Sequence, residues 1–166
     1  MFDKDIELKG KHATYVKFLN AHSSQQDKSK GDPNIFATAI DVYMIAALIG
    51  VSYNIKSQED KTSSDGISIF VSAFKNHFSD IEIVYRLVFL SEKSTDLSDN
   101  EKIERAFKFD EDPEKFAENM ILFHQYVRGG IEWLYEQIKN ATTKEDYLEK
   151  INEIISLYMK DFSIGN

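Results

Sequence analysis

Four histidines and twenty-eight carboxylates are the side chains here that could move a proton or hold a metal, and their spacing limits what they can do. His12, His22, His77 and His124 form no HxxxH or ExxH pair, the spacings that put ligands on one turn of a zinc-protease helix or a di-iron bundle. The absence of cysteine removes disulfides, thiolate nucleophiles and thiolate metal sites together, and suits a reducing, cytoplasmic compartment. GKHATY, residues 10–15, contains a Gly-Lys pair but lacks the earlier glycine and the following Ser/Thr of a phosphate loop. These residues supply no catalytic set, no metal site and no cofactor motif, so the chain reads as non-enzymatic.

Glu101 and Glu104 make an ExxE pair on one helix face. The pair resembles half of the magnesium-binding pattern of all-α nucleotide pyrophosphatases, over four residues of the 166, with the ExxD of the partner helix missing. The resemblance implies a magnesium-dependent nucleotide hydrolase, which stands as the distant alternative. Ser98 and Glu101 have the spacing of a capping box, and that already accounts for Glu101.

Arginine is the sharper signal, because only Arg86, Arg105 and Arg128 stand among 20 basic residues and only arginine offers a bidentate fork. Arg86 follows Glu82 by four and Arg105 follows Glu101 by four, the spacing of helix-surface ion pairs worth a few tenths of a kcal/mol. Arg128, four after His124 and four before Glu132, has no such simple account. Asp41, set among Ile40, Val42 and Ile45, and His124 are the candidate buried polar side chains. Asp41 reads either as a boundary carboxylate that reaches water or caps a neighbouring element, or as a buried carboxylate paired with an arginine or histidine, since an unpaired one would have to take up a proton.

FHQYVRGGIEWLYEQI, residues 123–138, places two adjacent glycines inside an amphipathic pattern, each costing about 1 kcal/mol relative to alanine in a helix interior. Met120, Phe123, Val127, Ile131, Leu134 and Ile138 pass through them without a phase slip, so the helix continues. On a second face, roughly 110–120° away, Tyr126, Gly129, Gly130 and Trp133 fall at i, i+3, i+4 and i+7. They form a notch floored by bare backbone and walled by two aromatic rings. A neighbouring helix of the same chain could fill it, or Gly129 could cap one helix before another begins near Ile131. The functional reading makes Tyr126, Arg128, Gly129, Gly130 and Trp133 a docking face for a protein partner or a second copy of the chain, since Tyr, Trp and Arg dominate binding hot spots. A single RGG triplet is not the repeated RNA-binding kind.

Charge weighs against a large nucleic-acid footprint, because the net charge is −8 and the pI about 5.0. Residues 1–30 nevertheless hold six lysines against four acids, and residues 96–119 hold nine acids against four bases. The alternative function is therefore a nucleic-acid-associated accessory factor whose contacts are Lys9, Lys11, His12 and Lys17. The longest apolar run, IFATAIDVYMIAALIGV, is shorter than the roughly 20 residues of a membrane span and carries Asp41 within it, so no membrane role is expected. The N-terminal MFDKDIELKGK has no apolar run of the kind a secretory signal needs.

The elements that must position these residues are helices, separated by Ser/Asp/Gly-rich breaks at 23–32, 56–66, 91–100 and 140–143. Patterning predicts helices at about 11–21, 33–52, 67–78, 80–91, 99–109, 113–139 and 143–161, with strands confined to segments such as 2–8 or 53–56. Asp32–Pro33 and Asp112–Pro113 mark helix starts by N-cap and first-turn proline, and Ser98/Glu101 and Thr142/Glu145 mark two more. In the last helix Tyr147, Leu148, Ile151, Ile154, Ile155, Tyr158 and Met159 make a core-facing stripe. The expectation is an all-α single domain over residues 1–166, a compact bundle of six or seven helices around the apolar helix 33–52 and the long helix 113–139. Lysine, asparagine and isoleucine bias suggests a bacterium or mobile element. The function expected is that of a cytoplasmic accessory protein that binds a protein partner or forms a homodimer.

Overall fold

The computed structural model describes residues 1–20, 35–93 and 95–162. Within them the chain runs β1 (Ile6–Lys9), α1 (Lys11–Leu19), α2 (Ala39–Ser52), β2 (Gly66–Ile69), α3 (Val71–Asn76), α4 (Phe78–Ser91), α5 (Asp99–Phe107), a 3-10 turn (Phe109–Glu111), α6 (Pro113–Ile138) and α7 (Lys144–Asp161). Helices carry the fold, as expected. The only sheet among the described residues is the antiparallel pair β1–β2, with Ile6 opposite Ile69 and Lys9 opposite Gly66. No helix there is long and apolar enough to cross a membrane.

α2 is apolar almost all round, and eight of its residues, from Ile40 to Val51, are buried at the centre. It starts later than patterning predicts. Thr38 and Asp41 form a capping box, in which the Thr38 amide donates to Asp41 Oδ2 at 2.9 Å and the Asp41 amide to Thr38 Oγ1 at 3.4 Å. Asp41 is therefore not the buried partner of an arginine or histidine; a carboxylate at the third helical position finds its donors in its own first turn. The predicted Asp32–Pro33 start, the 23–32 break, His22, Lys28 and Lys30 lie outside the described residues.

α6 runs unbroken through its glycines, capped by Asp112, whose Oδ1 accepts from the Glu114 and Lys115 amides at 3.0 and 3.3 Å. It crosses α2 at close range. A Cβ on Gly130 would come within 2.6 Å of the Ala46 carbonyl carbon, and one on Gly50 within 2.7 Å of that of Tyr126. One on Gly129 would meet Ile55 in the same way, at 2.6 Å. Real Cβ atoms do not come so near, so these three positions exclude every side chain, and the helix penalty of the glycines is offset by backbone-to-backbone packing.

Four further expectations are corrected. Residues 67–69 are strand and not the start of a 67–78 helix: Ile67, Ser68 and Ile69 alternate, β-branched residues suit the pleat, and Ile69 is buried opposite Ile6. The capping box before α7 uses Thr143 and Asp146, one residue after the predicted pair, with the Asp146 amide donating to Thr143 Oγ1 at 3.1 Å. Arg105 does not pair with Glu101; its Nε donates to Asn119 Oδ1 at 2.6 Å, because Glu101 is engaged by Ser98. In α7 only Tyr147 is buried, while Leu148, Ile155 and Met159 face outward at 52, 51 and 43% exposure. The remainder of that helix is held by an aromatic latch, in which Tyr53 stacks on Trp133 at 5.3 Å and meets Tyr158 and Phe162 edge-on.

Candidate functional site

The side chains singled out by sequence fall into three places. The first is the glycine face. Tyr126, Gly129 and Gly130 are buried, with Ala46, Gly50 and Ile55 of the same chain occupying the space that the notch offered. The Tyr126 hydroxyl donates to Glu92 Oε1 at 2.7 Å, and Glu92 also accepts from Thr95 Oγ1. Trp133 is half-buried on Tyr53. A docking groove through this face is corrected to an internal helix crossing, because two carbonyl groups of the chain's own backbone stand where a partner would enter.

The second place is a polar junction that the sequence did not disclose. Glu132 Oε1 accepts from Lys11 Nζ at 3.0 Å, from His12 Nε2 at 2.8 Å and from Ser57 Oγ. Serine, histidine and carboxylate thus meet, but in the wrong order for nucleophilic catalysis. A relay needs the serine and the acid on opposite ring nitrogens, whereas Ser57 Oγ, at 3.4 Å, and Glu132 share Nε2, and Nδ1 is buried without a partner. Burial holds the His12 pKa below its usual value against the pull of Glu132, so the imidazole is neutral and donates through Nε2. Burial pushes Glu132 up, and the hydrogen bonds from Ser57, Lys11 and His12 outweigh it and keep the carboxyl below its ordinary range. The junction ties α1, the 53–65 loop and α6 together. The same loop reaches the start of α1, where Gly10 has φ 59° and the Lys11 amide donates to Asp60 Oδ2 at 2.7 Å.

Of the expected N-terminal nucleic-acid contacts, His12 lies in the core and the three lysines at the surface. His12 is fully buried, Lys11 pairs with Glu132, Lys17 with Asp65, and Lys9 with Glu7 at 3.2 Å. The three lysines make these pairs at the surface. Likewise Glu104 pairs with Lys108 at 2.8 Å, and among the described residues no group of acids and histidines is placed to hold a metal ion.

Arg128 and His124 lie one turn apart on α6. Arg128 is half-buried and its Nε donates to the Ser57 carbonyl at 3.0 Å. His124 Nε2 is buried without a partner, and burial, with the Arg128 charge adding to it, brings its pKa down to about 4.

The third place is the outer face of α4. Ile81, Val84, Tyr85, Val88 and Phe89 are buried, yet Ile83, Leu87 and Leu90, spaced i, i+4, i+7, are exposed at 57, 42 and 37%. Arg86 stands in the same row, paired with Glu82 and lying 4.5 Å over the exposed ring of Phe107 from α5. The sequence carried this signal as an excess: FSDIEIVYRLVFLS has more apolar positions than one core-facing stripe can use.

Residues 23–162 match the family model of DNA sulphur modification system-associated protein 4. The chain belongs to that family. As a DNA sulphur modification system-associated protein it is an accessory protein of a bacterial modification system, the coarser part of what the sequence suggested. No curated protein and no solved structure matches the chain. For a DNA sulphur modification system-associated protein, the exposed apolar row on α4 is one feature that packing among the described residues leaves unexplained.

Proposed function

We propose that this protein is a non-enzymatic helical adaptor that docks a protein component of the DNA sulphur modification system through the outer face of α4 and α5. The observation that carries the reading is the row Ile83, Leu87 and Leu90, exposed at helix-face spacing with half-buried Arg86 among them beside Phe107, while the opposite face of α4 is core. Such a row accepts the apolar stripe of a partner helix, and an arginine held over an aromatic ring suits the centre of an interface. Acids crowd the neighbouring α5, with Asp99, Glu101 and Glu104 exposed. They favour a partner whose docking helix is flanked by lysine and arginine, as on a protein that itself handles DNA.

Coexpression with the proteins of the modification system, followed by size-exclusion chromatography, tests this. Wild type is expected to co-elute with one of them, and Leu87→Glu to elute alone with an unchanged melting temperature. Equal co-elution of the two would remove the α4 face from the interface. Wild type that elutes as a dimer, and as a monomer after Leu87→Glu, would replace the system component with a second copy of the chain.

A further inference from the structure

A cleft of about 520 Å³ opens between α6, β1 and the 53–65 loop. Its walls divide by chemistry. Ile6, Leu8 and Ile121 give an apolar side. His124, Arg128 and Lys61 give a side rich in hydrogen-bond donors.

Two features of that donor side are unusual for a merely structural surface. Arg128 is half-buried, yet its one hydrogen bond among the described residues uses Nε, which leaves both Nη nitrogens without an acceptor. His124 Nε2 is buried with no partner, and so, outside the cleft lining, is the hydroxyl of fully buried Tyr43, whose ring centre lies 6.1 Å from that of His124. Orphaned buried atoms are few in native interiors, and the donors that the cleft itself offers are the Arg128 Nη nitrogens. Lys61, exposed at the rim, makes no ion pair among the described residues. Glu59 lines the same cleft and lends Arg128 a countercharge without hydrogen-bonding to it, and Glu7 is engaged by Lys9.

We propose that this cleft binds a small phosphate monoester of nucleotide size, with the two Arg128 Nη nitrogens and Lys61 Nζ donating to the phosphate oxygens. Three donors from two separate elements exceed what the two oxygens of a carboxylate need and match a three-oxygen head. A cleft of this volume lies within the range that encloses small ligands. The apolar wall would cover a flat organic body, and Gln58 and Glu7 would meet its hydroxyl or amino groups. Nothing in this site depends on the α4 face.

The experiment is titration of the 15N-labelled protein with adenosine 5′-monophosphate, beside adenosine and inorganic phosphate. Saturable shifts centred on Ile121, His124 and Arg128 are expected, with adenosine at least 10-fold weaker. Arg128→Gln should weaken the nucleotide at least 10-fold. Lys61→Ala, at an exposed position that leaves the fold untouched, should weaken it several-fold. No saturable shift with the nucleotide or with phosphate at 10 mM overturns the proposal, and so does binding that both variants leave unchanged.

Discussion

Two helix faces make opposite errors easy. The Tyr126–Trp133 face of α6 carries glycines and aromatic residues, the composition of a docking notch, and is filled by α2. The outer face of α4 carries isoleucine and leucine, the composition of a core, and stays exposed among the described residues. Residue type alone does not say whether a face is inside; the number of faces that the rest of the chain can cover does. α2 has backbone to offer the glycines at Ala46 and Gly50, whereas the buried residues of α4 already occupy its neighbours on the other side.

Substitution at the crossing gives the largest effect. Gly130→Leu should remove the folded state or destabilise it by more than about 4 kcal/mol, and Gly130→Ala by more than about 2, since a displaced carbonyl must move a whole helix. Urea denaturation reads both; a near-neutral Gly130→Ala would mean that α2 and α6 stand farther apart than described.

Next comes pH. His124 is neutral when folded, with its pKa brought down to about 4 by burial and then by the Arg128 charge, against an ordinary value of 6.5. Between those values the unfolded chain binds the proton and the folded chain does not. Stability is therefore full above about pH 6.5 and falls as the pH drops towards 4, by up to ~3 kcal/mol. His12, lowered by its own burial, acts with the same sign. Denaturation midpoints at pH 7 and pH 5 should differ accordingly, and the difference should shrink in His124→Gln.

A smaller loss is expected where the hidden face touches its polar floor. Tyr126→Phe removes the 2.7 Å donor to the buried carboxylate of Glu92 and should cost about 1–3 kcal/mol in the same assay. The smallest effect belongs to the exposed face: Leu87→Glu should change stability by less than about 0.5 kcal/mol while abolishing the docking proposed above. A loss of several kcal/mol would show that Leu87 is core and collapse the contrast.

Much of the fold was legible because its signals are local. The Ser98/Glu101 box, the Asp112–Pro113 start and the unbroken 3–4 spacing through Gly130 all concern residues within two turns of one another. The start of α2 was misplaced because an apolar run resembles helix throughout, while the Thr38/Asp41 box, equally local, was overlooked. Strand β2 was missed because its partner lies some 60 residues earlier, where the short alternations of Ile6–Lys9 and Gly66–Ile69 meet. The junction of Glu132 with Lys11, His12 and Ser57 was hidden for the same reason: no spacing links positions that only the crossing of elements brings together.

The aromatic latch over α7 has one more implication. Trp133 is the only tryptophan in the sequence, and it stands where Tyr53 joins α2 to the end of the last helix. Its emission therefore serves as a built-in optical gauge of that seam, so that partial release of α7 would register as a spectral change before circular dichroism records any loss of the central helices.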